Sequence, residues 1–360
     1  MKMKKIMIIV FFVFFNNLFL IHFLLGSELS DYISLNGEAR SYFFSGNYSG
    51  KTLTRQDFSI GGKLSMEIKN KANNINLGLT GYTSQGLGLN SDNKAVYGLL
   101  GKNTDNTHKN YTVLGEIYLL MKYKKYSFKI GRQEINTPWL NIHDSRMTPY
   151  TYEAVYGAYT SEKNIFILSY VDKIKNKNET DFISFPKRLG LTEEHKPFYI
   201  AGIKNSNYLK TELWYYMLED VWSDYYCSFQ KSLKYADKIN SFHEIRYLRR
   251  LDEGDRIYGR INTYMFGIIN TFKYLDHSFG ITYSSIGNNN LDRLWGHSAA
   301  ISVQIESVDD AKETGWQFSY GYDMKNFTNL NLNFKSLYAF FDRPDSLGND
   351  KEEFNLEINY

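Results

Sequence analysis

Most of the chemistry-bearing side chains of this sequence stand in one polar run, Asn136 to Pro149, NTPWLNIHDSRMTP. It holds an indole (Trp139), an imidazole (His143), a hydroxyl (Ser145), an Asp-x-Arg pair (Asp144, Arg146) and two of the five prolines, Pro138 and Pro149. A guanidinium offers a planar fork of donors suited to a carboxylate. Arg146 can therefore orient an acidic solute, or it can pair with Asp144 and stiffen the run; the spacing allows both. Covalent catalysis needs a nucleophile with a base in reach. None of His108, His143, His195, His243, His277 and His297 sits in a motif that pairs it with an activated serine, and His243 and Glu244 point to opposite faces of a strand. Metal binding needs closely spaced ligands. The single cysteine, Cys227, and the scattered histidines do not supply them. Asp309, Asp310, Asp342, Asp345 and Asp350 read as solvated acidic loops. The expectation is recognition without catalysis, with no cofactor and no metal.

The elements that must hold this run are strands. From Leu35 onward, apolar and polar residues alternate with period two. Phe58, Ile60, Gly62, Leu64, Met66 and Ile68 face one way, and Ser59, Lys63, Ser65 and Glu67 the other. The same division separates Val113, Ile117, Leu119 and Met121 from Thr112, Glu116, Tyr118 and Lys122. It recurs in Leu213, Tyr215 and Met217 against Lys210, Glu212 and Trp214, and again in Trp316, Phe318, Tyr320 and Tyr322. Sixteen such segments can be read between Leu35 and Tyr360. The alternating stretch Ile301 to Ser307 is left in a loop, because one further strand would place the termini on opposite sides.

Connections discriminate between a soluble sandwich and a membrane barrel. Asn70 to Asn74, Lys124-Lys125 and Glu162 to Asn164 are short, whereas Ser84 to Tyr111, Gln133 to Glu153 and Asp172 to Phe198 are long. Short turns at one end and long loops at the other mark a transmembrane β-barrel. Backbone groups facing hydrocarbon must all be paired, which only a closed sheet achieves without helices. The expected fold is all-β: a closed antiparallel transmembrane β-barrel, with sixteen strands readable from the pattern. Composition agrees. The 360 residues include 30 Tyr and 25 Phe but only 5 Pro, and mean hydropathy is −0.43, too polar for a helical membrane protein and rich in strand formers.

Met1 to Lys5 is basic, Ile6 to Leu25 is mostly apolar, and Gly26-Ser27 is small, the pattern of a secretory signal peptide. A transmembrane anchor is the alternative, but Asn16-Asn17 splits the run. The domain reading is a cleaved leader at 1–27 followed by a single barrel at 28–360. Removing Lys2, Lys4 and Lys5 takes the formal net charge from +3 to 0, so no nucleic-acid footprint remains.

Alternation assigns Glu38, Arg40, Lys63, Glu67, Glu116, Lys129, Lys210, Glu212, Glu244, Arg246, Arg260, Lys335 and Glu357 to the lumen. On the lipid face a midplane Lys or Arg costs roughly 2–4 kcal/mol, so this face is expected to be wet. Its mixed sign suits a water-filled passage. Tyr118, Trp214 and Tyr264 are read as lumenal aromatics engaged in packing, Trp316, Tyr322 and Tyr360 as interface girdle, and Arg132 as a rim residue.

The segments RQDFSIGGKLSMEI (Arg55 to Ile68), GYTSQGLGLN (Gly81 to Asn90), GRQEINTPWLNIHDSRMTPYTYEAV (Gly131 to Val155) and EFNLEINY (Glu353 to Tyr360) resemble the OprD-type family of outer-membrane porins. The resemblance covers most of the mature chain and is weak from Leu209 to Ile305. It implies a barrel of 16–18 strands with one loop folded into the lumen, forming a passive channel for small hydrophilic solutes in a Gram-negative outer membrane and favouring carboxylates such as amino acids. The implied surroundings are outer-membrane lipid and lipopolysaccharide, with the barrel a monomer or a homotrimer. Pro138, Trp139, His143, Asp144, Ser145, Arg146 and Pro149 would belong to the constricting third loop, often joined in that family by a loop from the later half. Ala154 stands where the family usually has Gly, and sixteen strands are readable where the family has 18, so a hairpin is absent or hidden in Ile301 to Gly315. A non-conducting barrel serving as a surface binding protein or adhesin is the competing reading.

Overall fold

The computed structural model describes residues 32–46, 55–91, 96–192, 195–236, 238–291, 299–303, 306–325 and 332–359. The leader read at 1–27, His297 and Tyr360 lie outside them. Among the described residues the main sheet has seventeen strands, one of which, Phe182–Ser184, is a three-residue addition to a longer neighbour. The rest are β1 (Ile33–Gly46), β2 (Arg55–Lys69), β3 (Ile75–Gln85), β4 (Tyr111–Tyr123), β5 (Tyr126–Gln133), β6 (Thr151–Thr160), β7 (Asn164–Lys175) and β8 (Phe198–Asn205). There follow β9 (Lys210–Leu218), β10 (Trp222–Ala236), β11 (Ile239–Asp252), β12 (Asn262–Tyr274), β13 (His277–Ile286), β14 (Thr314–Asp323), β15 (Asn333–Asp342) and β16 (Lys351–Asn359). Each pairs antiparallel with its sequence neighbours from β1 to β16. These are the sixteen segments that alternation picks out.

Connections at one end are tight. Asn70 Oδ1 accepts the Asn74 and Ile75 amides at 3.0 and 3.1 Å. Lys124 takes the left-handed conformation (φ 53°) that lets a two-residue link follow the strand twist. At the other end are 86–110, 134–150, 176–197 and 287–313. The last contains an isolated Ser302–Ser307 bridge, so among the described residues Ile301 to Gly315 adds no hairpin to the wall.

The outward face is oily. Leu119, Phe128, Ile130, Leu168, Leu213, Phe318 and Leu356 are exposed, and Ile358 is 72% exposed. Large apolar side chains are left so in a stable fold only where lipid, not water, covers them.

Among the described residues three register shifts interrupt the ladders, one of them at Tyr235 near the end of β10 and two in the first half of the barrel. Thr80 pairs with Glu116 but Gly81 with Leu114, leaving Gly115 unpaired. The extra residue reverses the faces above it. Leu114 is exposed outward, so Val113 turns inward, contrary to the sequence expectation. A Cβ on Gly115 would lie 2.6 Å from the Tyr82 ring, which is why this position is bare. The second bulge skips Asp172 between the Glu153–Lys173 and Ala154–Val171 pairs.

The inward face is not uniformly wet. Tyr152, Val171, Phe198, Tyr216, Leu218, Trp222, Leu248 and Met265 form one buried cluster with Ile135, Trp139 and Leu140 of the 134–150 connection and Leu291, Ile301 and Val308 of the 287–313 connection. Each fully buried large apolar side chain contributes about 1.5–3 kcal/mol, ample to hold both connections inside the barrel. They fill one side of the lumen, and the cavities lie on the side of β1 to β4.

Candidate functional site

The 134–150 connection is pinned at both ends. Thr137 N–H and Oγ1–H both donate to Leu140 O, at 2.9 and 2.7 Å, closing a tight turn around half-buried Pro138. Trp139, expected in the constriction, is fully buried. Its amide donates to Tyr216 Oη at 3.2 Å, and Arg250, itself buried against Asp224 at 2.7 and 2.8 Å, lies 5.8 Å from its ring. Trp139 is the anchor of the loop and has no face on the passage. Pro149 is likewise buried. Lys175 Nζ donates to Pro149 O at 3.2 Å, Asn176 O at 2.7 Å and Thr148 Oγ1 at 3.4 Å.

Between these anchors His143, Asp144, Ser145 and Arg146 reach the open side of the lumen. They share a cavity of about 810 Å³ with Arg40 and Tyr42 of β1, Tyr150, Lys177, Ser302 and Val303. His143 turns the tip through a positive φ of 37°. Asp144 does not pair with Arg146. It takes a two-pronged bond from Arg40 Nη1 and Nη2 at 2.6 and 2.5 Å, and Arg40 Nη1 also donates to Arg146 O at 3.0 Å. Arg40 is further tied to Glu38, with Lys63 3.8 Å from Glu38 on the other side.

Arg146 is thereby left with its charge uncompensated. Its Nη1 donates to the Ser145 carbonyl at 2.9 Å, its guanidinium lies 4.2 Å from the Tyr97 ring, and among the described residues it has no carboxylate partner. Lys177 adds a second cation, donating to Ser145 Oγ at 3.1 Å. Arg40, Arg146 and Lys177 against Asp144 give the narrow zone an excess of positive charge.

A second cavity, about 410 Å³, is lined by Glu67, Glu116, Lys129, Tyr118, Glu134 and Asn136 among others. Lys129 Nζ sits 3.7 Å over the Tyr118 ring and 3.9 Å from Glu116. Elsewhere Glu212 accepts from Trp214 Nε1 at 3.0 Å and pairs with Lys204 at 3.7 Å. Glu244 and Arg246 are joined at 2.7 Å, with Arg246 Nη1 3.4 Å from Ala299 O of the inward 287–313 connection. Lys335 and Glu357 pair at 3.9 Å, and Lys210 is exposed at the first position of β9.

Two lumenal expectations need correction. Arg260 lies before β12, exposed in the loop that precedes Asn262, so it is not a wall residue of the lumen. Tyr264 has the parity opposite to Gly267, which faces Arg246 in the ladder, so it points outward and stacks on Tyr247 at 6.4 Å. Arg132 sits on the outer rim, bonded to Glu153 at 2.9 Å, as read. Sequence reasoning missed Tyr97, Lys177, Ser302 and Tyr82. Tyr97, Lys177 and Ser302 belong to loops, and Tyr82 stands on β3 opposite the bulged stretch of β4, so the approach of each to the site depends on the barrel path.

The family model described as "outer membrane porin, OprD family" matches residues 32–360. The fold is shared with Acinetobacter baumannii OccAB3 (TM-score 0.79, 18% identity, 91% of this chain and 87% of that one). It is shared too with Pseudomonas aeruginosa OpdK crystallised with vanillate (0.78, 18%, 92% and 88%) and with a BenF-like porin from Pseudomonas fluorescens Pf-5 (0.80, 16%, 91% and 87%). No curated protein matches the chain.

Proposed function

Because the chain belongs to the OprD family of outer membrane porins, we propose that its narrow zone favours small carboxylate-bearing solutes, amino acids among them, over neutral ones of equal size. That the protein is an outer membrane porin passing small solutes follows from the family. The preference is the finer reading, and one observation carries it: Asp144 is consumed by Arg40, so the guanidinium of Arg146 faces the passage with its charge intact. Passage is passive, and the residues orient and attract without bond making. A carboxylate entering beside Ser145 would meet Arg146 and Lys177 together. The acidic 410 Å³ cavity supplies the opposite sign for a solute that also carries an ammonium group.

The apolar packing of both inward connections favours a second reading, a barrel sealed throughout that acts from the cell surface as a binding protein or adhesin. The two cavities along β1 and β2 oppose it. Purified, folded protein in a planar bilayer separates the two: stepwise conductance with anion-biased reversal potential supports the channel, and a silent bilayer rejects it. The leader at 1–27 belongs to the same reading. N-terminal sequencing of outer-membrane material is expected to begin near residue 28.

A further inference from the structure

The first residue of the constricting loop, Glu134, meets an arrangement that simple charge counting does not allow. Tyr82 Oη lies 3.0 Å from Glu116 Oε1 and 3.0 Å from Glu134 Oε1. A phenol has one proton to donate, and ionised carboxylates only accept. One of these two contacts therefore needs a proton on the carboxyl side. Glu116 is the poorer carrier: its Oε2 accepts the Glu134 amide at 3.1 Å and lies 3.9 Å from Lys129 Nζ, both of which favour the ionised form. Glu134 has neither. Burial of its carboxyl, together with the charge on Glu116, pushes its pKa above the usual carboxylate range.

We infer that Glu134 is a protonated carboxylic acid that donates to Tyr82 Oη, while Tyr82 donates to Glu116, and that this proton clamps the root of the constricting loop to β3 and β4. The order is a closed circuit. Glu134 O–H donates to Tyr82, Tyr82 O–H donates to Glu116 Oε1, and Glu116 Oε2 accepts the Glu134 backbone amide. Two strands and the loop meet in it, for Tyr82 lies on β3 and Glu116 on β4, beside bare Gly115. Removing the proton sets two carboxylates against one phenol and leaves the Glu134 side chain without a bond. The groups facing Glu134 are Glu116, Tyr82 and Tyr118, with Glu67 of β2 and Lys129 of β5 lining the same cavity, and the charges of Lys63 and Asp144 also act on it.

The sign follows from linkage. A carboxyl with a raised pKa stabilises the clamped state at low pH, and the contribution disappears as pH rises through that pKa. Between the ordinary carboxylate range and that raised value, each pH unit lowers the ratio of clamped to released loops by about tenfold, and above it the ratio levels off.

Two measurements test this, and the first does not depend on the channel reading. Infrared difference spectra of the folded barrel at neutral pH should show the carbonyl stretch of a protonated acid that Glu134→Gln removes; identical spectra overturn the assignment. Single-channel records form the second. Wild type should gain closures or a shifted conductance level as pH is raised. Glu134→Gln, whose amide donates permanently, should hold the acidic-pH behaviour at every pH, and Tyr82→Phe should show the alkaline behaviour throughout. Wild type and Glu134→Gln with the same pH profile would overturn the clamp, whereas a silent channel carrying the infrared band would overturn the transport reading alone.

Discussion

Replacing Arg146 by alanine is the sharpest test of selectivity, because the backbone contacts of the loop survive it. The Arg146 carbonyl still accepts from Arg40, and Asp144 keeps both prongs of its own bond to Arg40. What is lost is one positive charge facing the cavity and its contact with Tyr97. A carboxylate about 4 Å from a guanidinium gains about 1 kcal/mol in bulk-like water and about 4 kcal/mol at an effective dielectric of 20. A hydrated but walled passage lies toward the low end, so about 1–2 kcal/mol is expected, or roughly a 5- to 30-fold fall in occupancy of the narrow zone by an anion. Liposome swelling with size-matched neutral, acidic and basic solutes measures it directly. Acidic solutes should slow by that factor while neutral ones change little, and the difference should shrink as salt shortens the screening length below about 10 Å. Arg146→Lys should fall between wild type and Arg146→Ala, since the charge remains without the fork. A mutant that slows neutral and acidic solutes equally would reduce Arg146 to loop scaffolding and refute the electrostatic argument.

Asp144→Asn should release Arg40 from its two-pronged bond and raise anion preference, read as a shift of reversal potential in a salt gradient. Because the pair is partly exposed on both sides, its loss should cost only about 0–1 kcal/mol and leave the thermal unfolding of the barrel nearly unchanged. Lys175→Met should do the reverse, since it strips donors from the buried Pro149 and Asn176 carbonyls at about 1–3 kcal/mol for each unsatisfied group. A lower temperature for loss of the compact, heat-modifiable gel band is expected. Gly115→Val places a branched side chain where even a Cβ meets Tyr82 at 2.6 Å; refolding yield in detergent should drop, with overpacking of about 1–3 kcal/mol.

Period-two patterning is a local property of the pleat, so the sequence by itself determined the strands, their oily and polar faces, and which loop carries the dense cluster of polar groups. All sixteen long strands were legible for that reason, and so was the inward position of Arg40, Glu116 and Lys129. Patterning fails wherever one extra residue shifts parity, as at Gly115, where Val113 turned inward. It also has no information about height or depth: Trp214 and Tyr216 share a face with Glu212, yet they are packed beneath a loop. Partnership across the lumen was decided only by tertiary structure. Asp144 and Arg146 are two residues apart, and local reasoning pairs them. The barrel instead carries Arg40 from 104 positions away to Asp144 and sets Tyr97 beneath Arg146. Ring closure brings together strands and loops whose separation along the chain bears no relation to their separation in space, and the charge left facing the passage is the residue of those long-range pairings.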